Sequence, residues 1–517
     1  MGVTPTPVPD RFNAASFFVD RHLAEGRGER VAFHHEGGSL TYAALQELVN
    51  RAGNAFRELG VEREQRVLCL LLDTPEFLAA FWGAIKIGAV PVPLNTMLRA
   101  SDYLYFLNDS RATVLVVSEP LYAVVEPVLA EARFLRHVIV AGKAAGRALA
   151  FDTLLAKAAA RLDAAETSRD DAAFWLYSSG STGFPKGAVH LQHDMVVCLD
   201  TYARQVLGMT DADRTVSAAK LFFAYGMGNN MYFPMGVGGQ GVLYPHRPLP
   251  EAMFELIHRT RPTLFFGIPT LYAAMLQVKD AGARYDLSSL RLCVSAGEAL
   301  PEELFKRWGE RFGVEILDGI GTTEILHIFL SNRPGRVRPG ATGLPVPGYE
   351  ARIVDDEGLP VLRGEIGNLR VKGDSTMAYY WNQHEKTKNT LFGQWINTGD
   401  KYYEDEDGYF WYCGRGDDML KVGGIWVSPV EVENTLISHP AVLEVAVVGQ
   451  EDDERLVKPK AYVVLKEGQA PGAALEAEIK QFVKDKIAAY KYPRWIEFVQ
   501  ELPKTATGKI QRFKLRQ

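Results

Sequence analysis

Two hydrophobic patterns alternate along most of this chain. Ala44–Leu59 places apolar residues at helical spacing, and Arg66–Leu72 is a short apolar run of the kind that forms a buried strand. The alternation continues to about residue 150 and resumes from 173 to about 330. There Ala173–Tyr177, Thr263–Phe266 and Leu290–Val294 read as strands set between helices. Layered sheets with helices packed on them are predicted. From about Arg338 to Tyr412 the pattern shifts to short strands punctuated by Pro345, Gly348, Gly358, Gly364, Gly367 and Gly373. That predicts a small antiparallel, barrel-like unit, with Asp407-Gly408 at a hairpin. After Asp417 a last module carries strands at Val445–Val448 and Lys460–Leu465 and a helix over Leu475–Ile487.

A length of 517 residues exceeds one hydrophobic core, so at least two domains are expected. With 47% hydrophobic and 23% charged residues, the composition is that of a soluble globular enzyme. The net charge of −6 argues against general nucleic-acid binding. No stretch approaches the ~20 apolar residues of a membrane span, and the nearest, Ala79–Val92, is broken by Lys86. The N-terminus lacks a charged start followed by an apolar core. It reads as a frayed Pro-rich end, although Met1-Gly2 with Thr6 formally fits an acylation pattern. Cys69, Cys198, Cys293 and Cys413 have no paired spacing. Small core residues in a reducing, cytoplasmic compartment are expected.

The densest chemical signal is YSSGSTGFPKGAVH, residues 177–190. Ser178, Ser179, Ser181 and Thr182 stand among Gly180, Gly183 and Gly187, with one cation, Lys186. Glycines let backbone come close to a ligand, and hydroxyls with free N–H groups make a concavity suited to phosphate oxygens. A flexible linker has no reason to hold Phe184-Pro185-Lys186 between strand-like runs. The common phosphate loop differs too, since its lysine precedes a Ser or Thr. The run instead resembles the signature of the adenylate-forming superfamily of acyl-coenzyme A synthetases, adenylation domains and luciferases.

Partner segments follow in the order that resemblance requires. DGIGTTE (318–324) is similar to the second core motif, which implies Glu324, beside Thr323, as the residue holding magnesium on the ATP phosphates. Asp318, with Gly319, would accept from the adenine amino group. Gly297, Glu298 and Ala299 in SAGEALP (295–301) would line the nucleotide. Ile320 departs from the aromatic residue often found against adenine. In Thr398-Gly399-Asp400 the aspartate would take the ribose hydroxyls, a task suited to an acceptor-only group, with Arg415 nearby. Asp417 matches the hinge residue, and PKTATGKI (503–510) carries the catalytic lysine, Lys509. The resemblance implies a multidomain α/β (α+β) fold. Its large domain, 1–416, has layered sheets and a β-barrel subdomain at 338–413, and 417–517 is a small mobile α+β domain.

The implied activity is ATP-dependent activation of a carboxylate as an acyl-adenylate, then transfer to the thiol of coenzyme A. Lys509, Glu324, Thr182 and Lys186 would serve the first step, and Gly423 and Gly424 would let the pantetheine arm pass in the second. In KLFFAYGMGNNMYFP (220–234), Phe222, Phe223, Ala224, Tyr225 and Gly226, with Gly321, His327 and Ile328, would form a flat acyl slot. FFAYGMGN and DGIGTTEILHIF look close to bacterial benzoate–coenzyme A ligases, so a benzoate-like acid of aromatic catabolism is expected. A monomer or homodimer with no membrane partner is expected. Another small acid, a carrier-protein acceptor or a nucleotide-binding regulator are the alternatives. Three lesser patterns carry no function: GVGGQG (236–241) precedes a strand-like run, His190 and His193 lack zinc-helix spacing, and Asn108 is a sequon without secretory context.

Overall fold

The computed structural model describes residues 5–144, 146–178, 184–422, 425–452, 456–504 and 510–516. The first long helix, Tyr42–Glu58, begins where the Thr41 hydroxyl accepts the Ala44 N–H at 3.2 Å, a side-chain cap, and it buries Leu45, Val49 and Phe56. Against it packs Pro75–Lys86, buried from Phe77 onward. Lys86 itself is only 1% exposed, with Nζ 2.5 Å from Asp20 Oδ1 and 2.6 Å from Asn50 Oδ1. A buried cation needs such partners, so this apolar stretch is a core helix. No helix among the described residues is long and apolar enough to cross a membrane.

Two large sheets lie in the chain up to residue 345. One has five parallel strands in the order Val90–Pro93, Arg66–Leu70, Val114–Ser118, His137–Ala141, Leu149–Ala150. The other has nine, and its parallel centre includes Arg214–Ser217, Leu264–Gly267, Leu292–Ser295 and Ile316–Gly321. The segments beginning at Ala218, Ala296 and Thr322 leave the carboxyl ends of these strands, where open α/β sheets place their ligands. A third sheet of three short antiparallel strands, Ala172–Ser178, Lys186–Leu191 and Tyr379–Tyr380, lies beside them.

Glu350–Val354, Gly367–Lys372, Leu391–Phe392, Trp395–Glu404 and Phe410–Arg415 make a five-stranded antiparallel sheet. Asp405 closes its hairpin, taking the Asp407 and Tyr409 N–H groups on Oδ1. The last module pairs Val442–Glu451, Val457–Leu465 and Trp495–Phe498, with Ala473–Lys486 packed on them. GVGGQG runs from the end of helix Phe233–Val237, through Gly238 at φ 77°, into strand Gln240–Val242.

Candidate active site

Strand pairing gathers one end of the site. Ser178 stands opposite Lys186, and Tyr380 opposite Ala188 on the third strand. Glu324 lies on the turn Thr323–Ile325 that follows Ile316–Gly321. Its Oε1 accepts from Ser178 Oγ at 3.0 Å and from the Tyr380 hydroxyl at 2.7 Å. Lys186 Nζ donates to the Tyr380 oxygen at 3.4 Å and lies 4.5 Å from the ring centroid. Burial lowers the Lys186 ammonium below its usual range, against the opposing pull of Glu324. Burial, reinforced by the Glu324 charge, raises the Tyr380 phenol, so it stays a neutral donor.

Ser179, Gly180, Ser181, Thr182 and Gly183 lie outside the described residues. The loop's exit is held, because the Tyr105 hydroxyl donates to Pro185 O at 2.9 Å and its ring stacks on Phe184 at 4.9 Å. His190 braces the turn from behind, with Nε2 2.8 Å from Thr323 O and Nδ1 2.7 Å from Asp194 Oδ2. No cluster of three or more metal-type ligands occurs among the described residues.

Towards the nucleotide segment, Asp318 pairs with Ser295 on the neighbouring strand and is buried, which raises its carboxyl well above the usual range. Its Oδ1 makes no hydrogen bond to a described residue. Gly297 takes φ 94° just beyond Leu292–Ser295, and Glu298 Oε1 accepts the Ile510 N–H at 2.8 Å. Asp400 faces Arg415 across a hairpin, Oδ1 to Nη1 3.1 Å, and Arg415 also donates to Thr398 O at 3.3 Å. The neighbouring Asp400 charge holds the Arg415 guanidinium above its usual range. Asp417 falls in the short turn Gly416–Asp418. Gly423, Gly424 and Lys509 lie outside the described residues; Lys504 and Ile510 form an isolated antiparallel bridge.

The other end is aromatic. The Tyr225 hydroxyl donates to Gly267 O at 3.2 Å and Val294 O at 3.3 Å, tying its ring to two strand ends. His327, three residues beyond Glu324, sits 5.8 Å from Tyr225, 5.4 Å from Tyr202 and 4.5 Å from Phe233, centroid to centroid. Leu326, at φ 73°, turns the backbone between them. Burial lowers His327 to about 3, so the imidazole is neutral. Asn229 Nδ2 reaches Ser217 Oγ at 3.5 Å, so Oδ1, 3.1 Å from His327 Nε2, accepts the ring proton. Two π-helical segments, Leu199–Arg204 and Gly228–Tyr232, wall this end. Such turns are frequent at functional sites.

Close approach explains four glycines. A Cβ on Gly228 would lie 2.3 Å from His327 Cδ2, and one on Gly321 2.5 Å from His327 O. Gly226 is pressed against Lys220 O, and Gly319 against Ile328. Ile328 is buried, and Phe223 and Ala224 are half-buried, with Phe223 4.3 Å from the Phe222 ring. Sequence reasoning did not assign Tyr380, Asn229, His190 or Tyr105. Asn229 stood inside the aromatic run, but Tyr380 carries no motif.

Residues 20–381 match the family described as AMP-binding enzyme, and residues 431–509 match the AMP-binding enzyme C-terminal domain. A benzoate–CoA ligase of Thauera aromatica is 52% identical over 511 residues, 98% of this chain and 96% of that protein. The crystal structure of an anthranilate CoA ligase in complex with anthranoyl-AMP superposes with TM-score 0.95 at 47% identity, covering 98% of this chain and 97% of the other. A benzoate CoA ligase from Burkholderia xenovorans gives TM-score 0.92 at 48% identity, covering 98% of this chain and all of that one (100%).

Proposed function

The chain belongs to the AMP-binding enzyme family, the adenylate-forming superfamily, and from that premise we propose that it joins benzoate or a small ring-substituted benzoate to coenzyme A. It is an acid–thiol ligase, consuming ATP and releasing AMP and pyrophosphate. In the first half-reaction a carboxylate oxygen bonds to the α-phosphorus, and the bond from that phosphorus to pyrophosphate breaks. Both reactants are anions, so the site must hold them together and offset charge. Ser178 and Lys186, with Ser179, Gly180, Ser181, Thr182 and Gly183, meet the β- and γ-phosphates. Glu324 with Thr323 beside it offers a hard oxygen donor. This fits magnesium, which usually binds through one or two carboxylates plus substrate phosphates and would neutralise phosphate charge. Asp318, Gly319 and residues 297–299 receive adenine, Asp400 and Arg415 the ribose. Lys509 meets the crowded anions of the transition state.

In the second half-reaction the coenzyme A thiol bonds to the acyl carbon and AMP leaves. The small domain, from Asp417, turns between the steps, withdrawing Lys509 and bringing Gly423 and Gly424 to the thiol's path. The enzyme works in the cytoplasm as a monomer or homodimer.

One observation carries this reading. The single turn 323–327 joins a polar, carboxylate-bearing end to a flat aromatic end where His327 is neutral. The test is carboxylate-dependent ATP–pyrophosphate exchange over benzoates, cinnamates and alkanoates. Benzoates should lead, and equal exchange with alkanoates overturns the substrate assignment.

A further inference from the structure

We propose that Tyr380 is a spacer that keeps Lys186 and Glu324 from neutralising each other, a positioning role resting on the adenylation reading above. The two side chains carry opposite charge on either side of one phenol. Lys186 Nζ donates to that oxygen at 3.4 Å, and the phenol donates onward to Glu324 Oε1 at 2.7 Å. Lys186 and Glu324 make no direct ion pair with each other, or with any other described residue. Two charges at contact in a half-buried place attract strongly, so the separation has to be imposed.

Tyr380 is built to impose it. Its strand pairs with the lysine's strand, its N–H donates to Thr387 Oγ1 at 3.0 Å, and it is 3% exposed. Its ring also faces the ammonium at 4.5 Å, a cation–π contact that holds Nζ without consuming its N–H donors. Ser178 and the phenol together saturate Glu324 Oε1, while Oε2 makes no hydrogen bond to a described residue. Lys386 and Arg415 are the other cations whose charge reaches Lys186, and both repel it. The arrangement therefore presents one ammonium and one carboxylate oxygen, side by side and unspent. A polyphosphate needs the first and its counter-cation the second.

The consequence appears in metal-free binding, away from turnover. With magnesium chelated, Tyr380→Phe should bind ATP about tenfold more weakly than the unaltered enzyme. That is the scale of one charge-assisted hydrogen bond lost when Lys186 turns to Glu324. Removing the carboxylate removes the trap. In a Glu324→Gln background the same Tyr380→Phe change should move ATP affinity by less than about twofold, within the error of independent sites. Calorimetry on the four proteins of this cycle measures both. Conversion of supplied benzoyl-adenylate and coenzyme A to thioester needs no triphosphate, so Tyr380→Phe should retain it, which also reports folding. Unchanged ATP affinity in Tyr380→Phe, an equal loss in both backgrounds, or loss of the thioester step each overturns the spacer role. Absence of pyrophosphate exchange in the unaltered enzyme overturns instead the function on which it rests.

Discussion

Glu324 and His327 are three residues apart, yet their surroundings have little in common. Around Glu324, side chains from three strands meet through polar atoms: Ser178 and Tyr380 donate to its Oε1 at 3.0 and 2.7 Å, and Lys186 donates to the Tyr380 oxygen at 3.4 Å. Around His327, Tyr202, Tyr225 and Phe233 meet through rings, and its Nε2 lies 3.1 Å from Asn229 Oδ1. At the first end burial is incomplete and charge is retained; at the second, burial leaves the imidazole neutral. On the function proposed above, one cleft would handle two ligand chemistries. Phosphate needs charges kept apart and available, whereas an aryl ring needs shape, because a pocket without charge pays no desolvation when an apolar group enters.

The strongest challenge to this division is Glu324→Gln. It should slow acid-dependent pyrophosphate exchange by ~10²–10³, the usual effect of removing one electrostatic group aimed at developing charge. The ranking of benzoates should stay as it was. A changed ranking would mean that the two ends are not separable.

Next in size is the reciprocal change. His327→Ala and Tyr225→Ala should alter relative kcat/KM among ring-substituted benzoates by roughly ten- to a few-hundred-fold, the worth of pocket methylenes, while the KM for ATP stays put. An altered ATP KM with unaltered ranking would reverse the assignment of the ends.

Acid titration sharpens the claim that the aryl end is uncharged. His327 is lowered to about 3 in the folded chain, against ~6.5 when unfolded. Between those values the unfolded chain binds a proton that the folded chain refuses. Stability present above pH 6.5 is therefore lost as pH falls, by ~1.4 kcal/mol per unit. His22, also lowered to about 3, adds to the same trend. His34 is lowered by burial as well, and His327→Gln removes one contribution among these. The stability gap between variant and unaltered protein should narrow by ~2 kcal/mol from pH 7 to pH 5 in chemical denaturation. A gap that does not move means a charged imidazole.

The smallest expected effect is Ser178→Ala. One neutral-to-charged hydrogen bond to Glu324 is worth ~1.5 kcal/mol, so the KM for ATP with magnesium should rise about tenfold or less. No change in substrate ranking should accompany it.

Much of this was readable before any coordinates. Helix Tyr42–Glu58 and strand Arg66–Leu70 follow from the spacing of apolar residues, and Ala473–Lys486 lies within two residues of its expected bounds. Lys86, read only as an interruption of an apolar run, proved to be a paired cation inside a core helix. Glu324, Asp400 and Arg415 were legible as candidates because each lies in a short contiguous motif. Tyr380, Asn229 and His190 were not, since their partners stand 56, 98 and 133 residues away.

By itself, then, the sequence determined which segments become strands and helices, and which short runs carry the family's motifs. Both depend on neighbours a few positions apart, where periodicity and backbone geometry act. Only the tertiary structure decided that a phenol from residue 380 parts Lys186 from Glu324, and that Asn229 Oδ1 meets His327 Nε2. A hydrogen bond is set by distance in space, and packing brings together atoms between which the chain itself imposes no relation.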